Sequence, residues 1–311
     1  MAQVFQLPFL KLLLVLTGIG AIAYLLICLS LFVWQTRLIF VPSPVVETTP
    51  AELGLSYEEV WLPTDQGSLA PTSDHPTSEA ERLHGWWLPA TSPALGVLLY
   101  LHGNGENIGA NLEPARRFHQ LGFSVLMIDY RGYGRSEGNF PSEAQVYEDA
   151  EAAWTYLVQQ QGINPREIFL YGHSLGGAVA IDLATQHPEI AGMIVEGTFT
   201  SIREMVAQKK QYSLLPINLL LNQRFDSISK IKSLTMPLLL IHGTDDAVVP
   251  AKMTQALHDA ATATKQLLLV PQAGHNDVAN VAGSQYQQTI QQFVEEVYAS
   301  RRIASPASGE V

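Results

Sequence analysis

Cysteine is all but missing: Cys28 is the one thiol in 311 residues. A single thiol excludes an intramolecular disulfide and a cysteine-built metal site, and it leaves the redox compartment undetermined. Basic residues are also scarce, with 18 Lys and Arg against 29 Asp and Glu for a formal charge of −11, and they form no cluster. Without a basic patch there is no surface to neutralise the phosphates of a nucleic acid and no polybasic stretch for anionic lipid. No Gly-Lys-Ser/Thr loop occurs. Two glycine-rich loops, Gly103-x-Gly105-x-x-x-Gly109 and Gly132-x-Gly134-x-x-x-Gly138, each carry one residue too many before the third glycine for a dinucleotide fingerprint. No internal repeat is present.

What the chain does have begins with a long apolar run. Leu12 to Trp34 is uncharged and is flanked by Lys11 and Arg37. At about 1.5 Å per helical residue, such a run crosses a hydrocarbon core of roughly 30 Å. A cleavable signal peptide has a shorter core followed by small residues. Here Ala21 and Ala23 lie in mid-run, and Tyr24, Leu25 and Leu26 follow them. The expectation is an uncleaved single-pass anchor over residues 1–36, spanning about 12–34. Lys11 on one side, with Arg37, Glu47 and Glu52 on the other, tips the orientation toward the N-terminus inside.

An extended connector with Pro42, Pro44 and Pro50 follows, then two early strands near Tyr57–Leu62 and Leu83–Leu88. The Ser/Thr/Pro-rich stretch Thr64–Arg82 between them reads as a loop without chemistry. From Gly96 on, short apolar runs alternate with helical segments. Strands are expected at Gly96–Leu101, Ser124–Asp129, Glu167–Tyr171, Gly192–Glu196, Pro237–Ile241 and Gln266–Val270. Helices are expected near Ala110–Leu121, Ser142–Gln160, Leu175–Gln186, Pro250–Ala261 and Ser284–Arg301. Continuously apolar strands separated by helices predict a doubly wound, mostly parallel α/β sheet with sites at strand C-terminal ends. The domain is expected over residues 37–302, with a tail at 303–311.

Gly197 to Met236 breaks the alternation, being far longer than an ordinary connection. Its Leu214, Leu215, Ile217, Leu219, Leu220 and Leu221 suit three arrangements: a helix pair packed on the domain, a cap lining an apolar pocket, or membrane contact.

The sharpest local motif is Gly172-His-Ser174-Leu-Gly176-Gly177, set between a strand and a helix. By composition, a Gly-x-Ser-x-Gly arises by chance in roughly 10% of chains this long, so its placement carries the weight. Glycines two residues to either side let the backbone turn sharply and leave the Ser174 hydroxyl exposed. A serine needs a base oriented by an acid. His275 follows the last strand in the turn Gly274-His275-Asn276-Asp277, and Asp246 lies in His242-Gly-Thr-Asp245-Asp246, giving the order Ser…Asp…His. Asp245 and Glu196 remain rivals for the acid, and Asp129 reads as structural. His102, His173 and His242 stand at strand ends, without the carboxylates a zinc set would bring. Oxyanion donors are expected from the backbone amides of Leu175 and Asn104, with Gly103 and Gly105 allowing the turn.

Leu101-His-Gly-Asn-Gly105, Asp129-Tyr-Arg-Gly-Tyr-Gly-Arg-Ser-Glu-Gly138, the Ser174 motif, His242–Asp246 and Gly274-His275 together resemble the α/β-hydrolase superfamily. More narrowly, they are similar to a single-pass, membrane-anchored branch with a short cap that includes protein depalmitoylases. The resemblance covers roughly Arg37 to Arg301. It implies a triad of Ser174, Asp246 and His275, an oxyanion hole at Asn104 and Leu175, and no cofactor. The anchor and the leucine-rich cap point to a lipid or acylated ester or thioester, cleaved through an acyl-enzyme on Ser174.

Overall fold

The computed structural model describes residues 6–64, 81–91 and 94–304. Eight strands form one sheet: β1 (Glu58–Pro63), β2 (Arg82–Leu88), β3 (Gly96–Leu101), β4 (Phe123–Ile128), β5 (Ile168–His173), β6 (Gly192–Glu196), β7 (Leu238–Gly243) and β8 (Lys265–Val270). Their spatial order is β1-β2-β4-β3-β5-β6-β7-β8. β1 pairs antiparallel with β2 and β2 with β4, and every later pairing is parallel. The expected doubly wound, mostly parallel sheet is what the chain forms.

Ten α-helices accompany the sheet among the described residues: α1 (Gln6–Ile39), α2 (Leu112–Gln120), α3 (Glu143–Thr155), α4 (Leu175–Gln186), α5 (Ile202–Ala207), α6 (Ile217–Leu220), α7 (Ser227–Lys230), α8 (Ala251–Ala260), α9 (Val278–Ala282) and α10 (Ser284–Ala304). The central strands are buried along their whole length because helices cover both faces. One apolar core gathers Val146 of α3, Ile181 of α4 and Leu257 of α8. The other gathers Phe118 of α2 with Ile290 and Phe293 of α10.

The chain leaves β3 toward β4 on one side and returns to β5 on the other. At such a reversal the connecting loops diverge and open a crevice at the strand C-terminal ends. Leu101 pairs with Gly172 there, so the loop after β3 meets the turn after β5. Two strands away, Gly243 pairs with Val270, and the loops after β7 and β8 emerge together on the same side.

Several boundaries differ from expectation. α1 continues to Ile39, past the expected end of the anchor at residue 36, because nothing disfavours helix until the Val41-Pro42 step. Helix persists to Ala304, two residues into the expected tail at 303–311, and residues 305–311 lie outside the described residues. The same holds for 65–80 of the expected loop. The cap is not a helix pair. It is a series of short pieces, α5 to α7 with 3-10 turns at Lys210–Tyr212 and Ile231–Ser233, interrupted at Pro216 where a helix would lose its donor.

Candidate active site

Ser174 stands directly between β5 and α4, with φ 52° and ψ −115°. That region is costly for a residue bearing a Cβ. The turn is locked by its neighbours: the Ser174 amide donates to the Glu196 carbonyl at 2.8 Å, and the Thr198 hydroxyl donates to the Ser174 carbonyl at 2.9 Å. Both flanking glycines are required by crowding. A Cβ on Gly172 would lie 2.3 Å from the Gly176 carbonyl oxygen, and one on Gly176 would lie 2.1 Å from that of Leu101.

Above this turn the loops after β7 and β8 bring two more side chains. His275 Nε2 is 3.0 Å from Ser174 Oγ, and His275 Nδ1 is 2.6 Å from Asp246 Oδ2. Asp246 Oδ1 accepts from the amides of Val248 and Val249, each at 2.8 Å. His242 Nε2 lies 3.1 Å from Asp246 Oδ2 and 2.9 Å from the Val249 carbonyl. Facing two acceptors, that nitrogen carries the proton. Burial by itself would raise the Asp246 carboxyl. The hydrogen bonds from His242, His275 and the Val249 amide outweigh it and hold the group well below the usual carboxylate range. An ionised Asp246 accepts the Nδ1 proton of His275, which leaves the Nε2 lone pair facing the serine hydroxyl.

The rival carboxylates are engaged elsewhere. Glu196 accepts from Tyr286 at 2.6 Å and Tyr171 at 3.1 Å. Asp245 is exposed and accepts from the Thr244 hydroxyl at 3.0 Å. Asp129 accepts from the Ile108 amide at 2.9 Å and so holds the far end of the loop after β3. His173 donates to or accepts nothing from Ser174; its Nε2 lies 3.1 Å from the His275 carbonyl, at donor distance. Burial keeps its imidazole below the ordinary value, against the pull of Glu196. His102 Nδ1 meets the Gly103 carbonyl at 2.7 Å, and no group of three or more His, Cys, Asp or Glu suited to a metal ion occurs among the described residues.

Leu175 is the first residue of α4, where a helix leaves its amides without intrahelical partners. Asn104 is across the crevice, and both line the same cavity as Ser174 and His275. The Asn104 side chain is tied to the end of α1 and the residues after it. Its Oδ1 accepts from the Val41 amide at 2.9 Å and the Tyr133 hydroxyl at 2.7 Å, and its Nδ2 donates to the Ile39 carbonyl.

The cavity measures about 640 Å³, within the range of small-molecule sites. Its walls include Phe199, Met205, Leu215, Ile217 and Leu220 of the cap region. Leu31, Gln35, Leu38 and Ile39 of α1 form a further wall, which the linear motifs did not reveal. Gln35, an amide just beyond the apolar run, was the available sign.

Comparisons with known proteins agree with this architecture. A family model described as serine aminopeptidase, S33, matches residues 92–229, and one described as PhoPQ-activated pathogenicity-related protein matches residues 199–307. The chain is 31% identical over 307 residues to the alpha/beta hydrolase domain-containing protein WAV2 of Arabidopsis thaliana, covering 92% of this chain and 95% of the relative. It is 33% identical over 305 residues to protein bem46 of Schizosaccharomyces pombe, covering 94% and 95%. The esterase Pf2001 of Pyrococcus furiosus has a similar fold, with a TM-score of 0.66 at 22% identity over 82% of this chain and 98% of that one.

Proposed function

This chain belongs to the α/β-hydrolase family, and from that premise we propose that it is a membrane-anchored serine hydrolase cleaving esters or thioesters of acylated, lipid-like substrates. The observation that carries the reading is the continuous relay from Ser174 through His275 to Asp246, with Ser174 and His275 lining a largely apolar cavity. Ser174 Oγ attacks the acyl carbonyl as its proton passes to His275 Nε2. The developing oxyanion is met by the amides of Leu175 and Asn104. Collapse of the tetrahedral adduct breaks the bond to the leaving group, which takes the proton from His275. Water, giving a proton to the same nitrogen, then attacks the acyl-enzyme and releases the acid and Ser174. Asp246 holds the imidazole in the right tautomer and offsets its charge.

The anchor belongs to this reading. Within α1 the 31 residues Phe9–Ile39 are long and apolar enough to cross a membrane. Leu14, Ile22, Leu25 and Val33 are each more than half exposed. A core helix of a water-soluble domain would bury such side chains. Gln35 and Phe40, in contrast, are buried against the domain, so the end of the helix and the connector are part of the folded unit. The largely apolar cavity suits an acyl chain better than a peptide.

The test is fluorophosphonate labelling of the membrane fraction, with hydrolysis of an ester and thioester series. Wild type is expected to label and turn over, while Ser174→Ala loses the label and at least about 10⁴-fold in kcat. Folded wild type that neither labels nor hydrolyses, beside an active control hydrolase, would overturn the proposal.

A further inference from the structure

Along α1, Tyr24, Cys28, Leu31, Gln35 and Leu38 recur at spacings of three and four, which puts them on one helix face. This face is turned to the cap. Tyr24 Oη donates to the Leu214 carbonyl at 2.9 Å. Gln35 Nε2 donates to the Leu220 carbonyl at 3.1 Å, and its Oε1 accepts from the amides of Asn222 at 2.8 Å and Gln223 at 3.1 Å. Cys28, which sits between these contacts, is buried, whereas the neighbouring Leu25, Leu26 and Leu29 are exposed. Cap and anchor therefore lie side by side for about three turns of helix.

Tyr24 falls inside the uncharged run Leu12–Trp34, so its contact carries the tip of the cap to the level of the hydrocarbon core. Exposed leucines of the cap match such a setting. Leu214 is 86% exposed and Leu219 is 81% exposed, an arrangement that costs free energy in water and none in lipid. At about 1.5 Å per residue the apolar stretch Phe9–Ile39 is roughly 46 Å long, against a core of roughly 30 Å. The surplus brings the last turns, with Gln35 to Ile39 and the cavity they line, to the membrane interface.

We propose that the acyl chain of the substrate lies in the seam between α1 and the cap and reaches Ser174 sideways from the bilayer. The anchor helix is then a wall of the chain-binding site and helps set chain-length preference. This rests on the serine-hydrolase reading above and names its substrate class: a long-chain acyl ester or thioester already resident in the membrane, its carbonyl at the interface and its chain among lipid tails. Leu31 and Leu38 contact the chain. Gln35 positions the seam by holding the cap, its own polar atoms occupied by backbone of the cap and, at Phe32, of α1.

The experiment uses the full chain in lipid nanodiscs and nitrophenyl esters from butanoate to hexadecanoate. Leu31→Trp fills the seam. It is expected to lower the ratio of kcat/KM for dodecanoate over butanoate by about 10-fold or more, the size of discrimination a few methylenes give in an apolar pocket. An unchanged ratio in a folded, Ser174-labelling variant overturns the proposal. Should Leu31→Trp fail to accumulate, a second measurement decides. Leu38→Cys in a Cys28→Ser background is reacted with a maleimide after Ser174 has been modified by a dodecyl or an ethyl fluorophosphonate. Protection by the dodecyl reagent alone supports the seam, and equal labelling after both reagents overturns it. Absence of any Ser174-dependent labelling in wild type would remove the hydrolase reading itself, and this inference with it.

Discussion

Asp246 receives more hydrogen bonds than orienting one imidazole requires. Two backbone amides reach one oxygen, and His275 and His242 both reach the other. Substituting asparagine keeps the size but offers the His275 ring an amide, so the proton can settle on the nitrogen that faces Ser174. Asp246→Asn is expected to lower kcat by about 10³- to 10⁴-fold with little change in fold, read from ester turnover beside circular dichroism. The same carboxylate couples stability to pH. Its folded pKa lies below the ordinary value of about 3.9, so the unfolded chain binds more protons over that interval and stability rises with pH. The contribution is complete above the unfolded value and drains away as pH falls below about 4 toward the folded one. Thermal midpoints measured from pH 6 to pH 3 should fall more steeply for wild type than for Asp246→Asn. Parallel slopes would show that Asp246 is not the group responsible.

At the scale of elements, the loop after β3 is held by the end of α1 and the connector that follows it. Asn104 bonds Val41 and Ile39, and Asn107 Nδ2 donates to the Val45 carbonyl at 2.6 Å and the Ser43 carbonyl at 3.2 Å. The position of the Asn104 backbone amide is thus tied to the side-chain bonds that hold this loop. Asn104→Ala keeps that amide and releases the loop. The expected result is a kcat lowered about 10- to 100-fold with KM changed much less, because misplacing the proposed oxyanion donor weakens the transition state more than the bound ground state. Equal loss in both parameters would instead place Asn104 in ground-state binding. The cap shows a related dependence between elements. Its short helices are too small to be stable alone, and the Gln35 side chain on α1 satisfies its backbone at Leu220, Asn222 and Gln223.

For the whole molecule, one consequence is where it resides. A helix that exposes apolar side chains over most of its length, while its last turns are built into the domain, is expected to stay in the membrane pellet through high-salt and alkaline carbonate washes. Only detergent should release it. Release by salt alone would mean a peripheral attachment and would sink the anchor reading.

Local chemistry carried most of the fold and much of the site into the sequence. Apolar runs with the period of strands and helices define the sheet, since both kinds of burial leave a pattern in neighbouring residues. The Ser174 turn is legible because its glycines are demanded by backbone atoms only a few residues away or on the adjacent strand. The relay's three residues could be named from motif and order. That Glu196 is bonded elsewhere is visible only in the tertiary structure, since its partners Tyr171 and Tyr286 come from distant segments. The cap followed the same rule. Its leucines allowed a helix pair, a pocket lining or a membrane contact, and only the packing of α1 along it decides which side chains face the cavity and which are left exposed. An apolar stripe has the same appearance in sequence whether it meets lipid, protein or an acyl chain. What it meets is set by contacts between residues some 190 positions apart, and no local pattern encodes them.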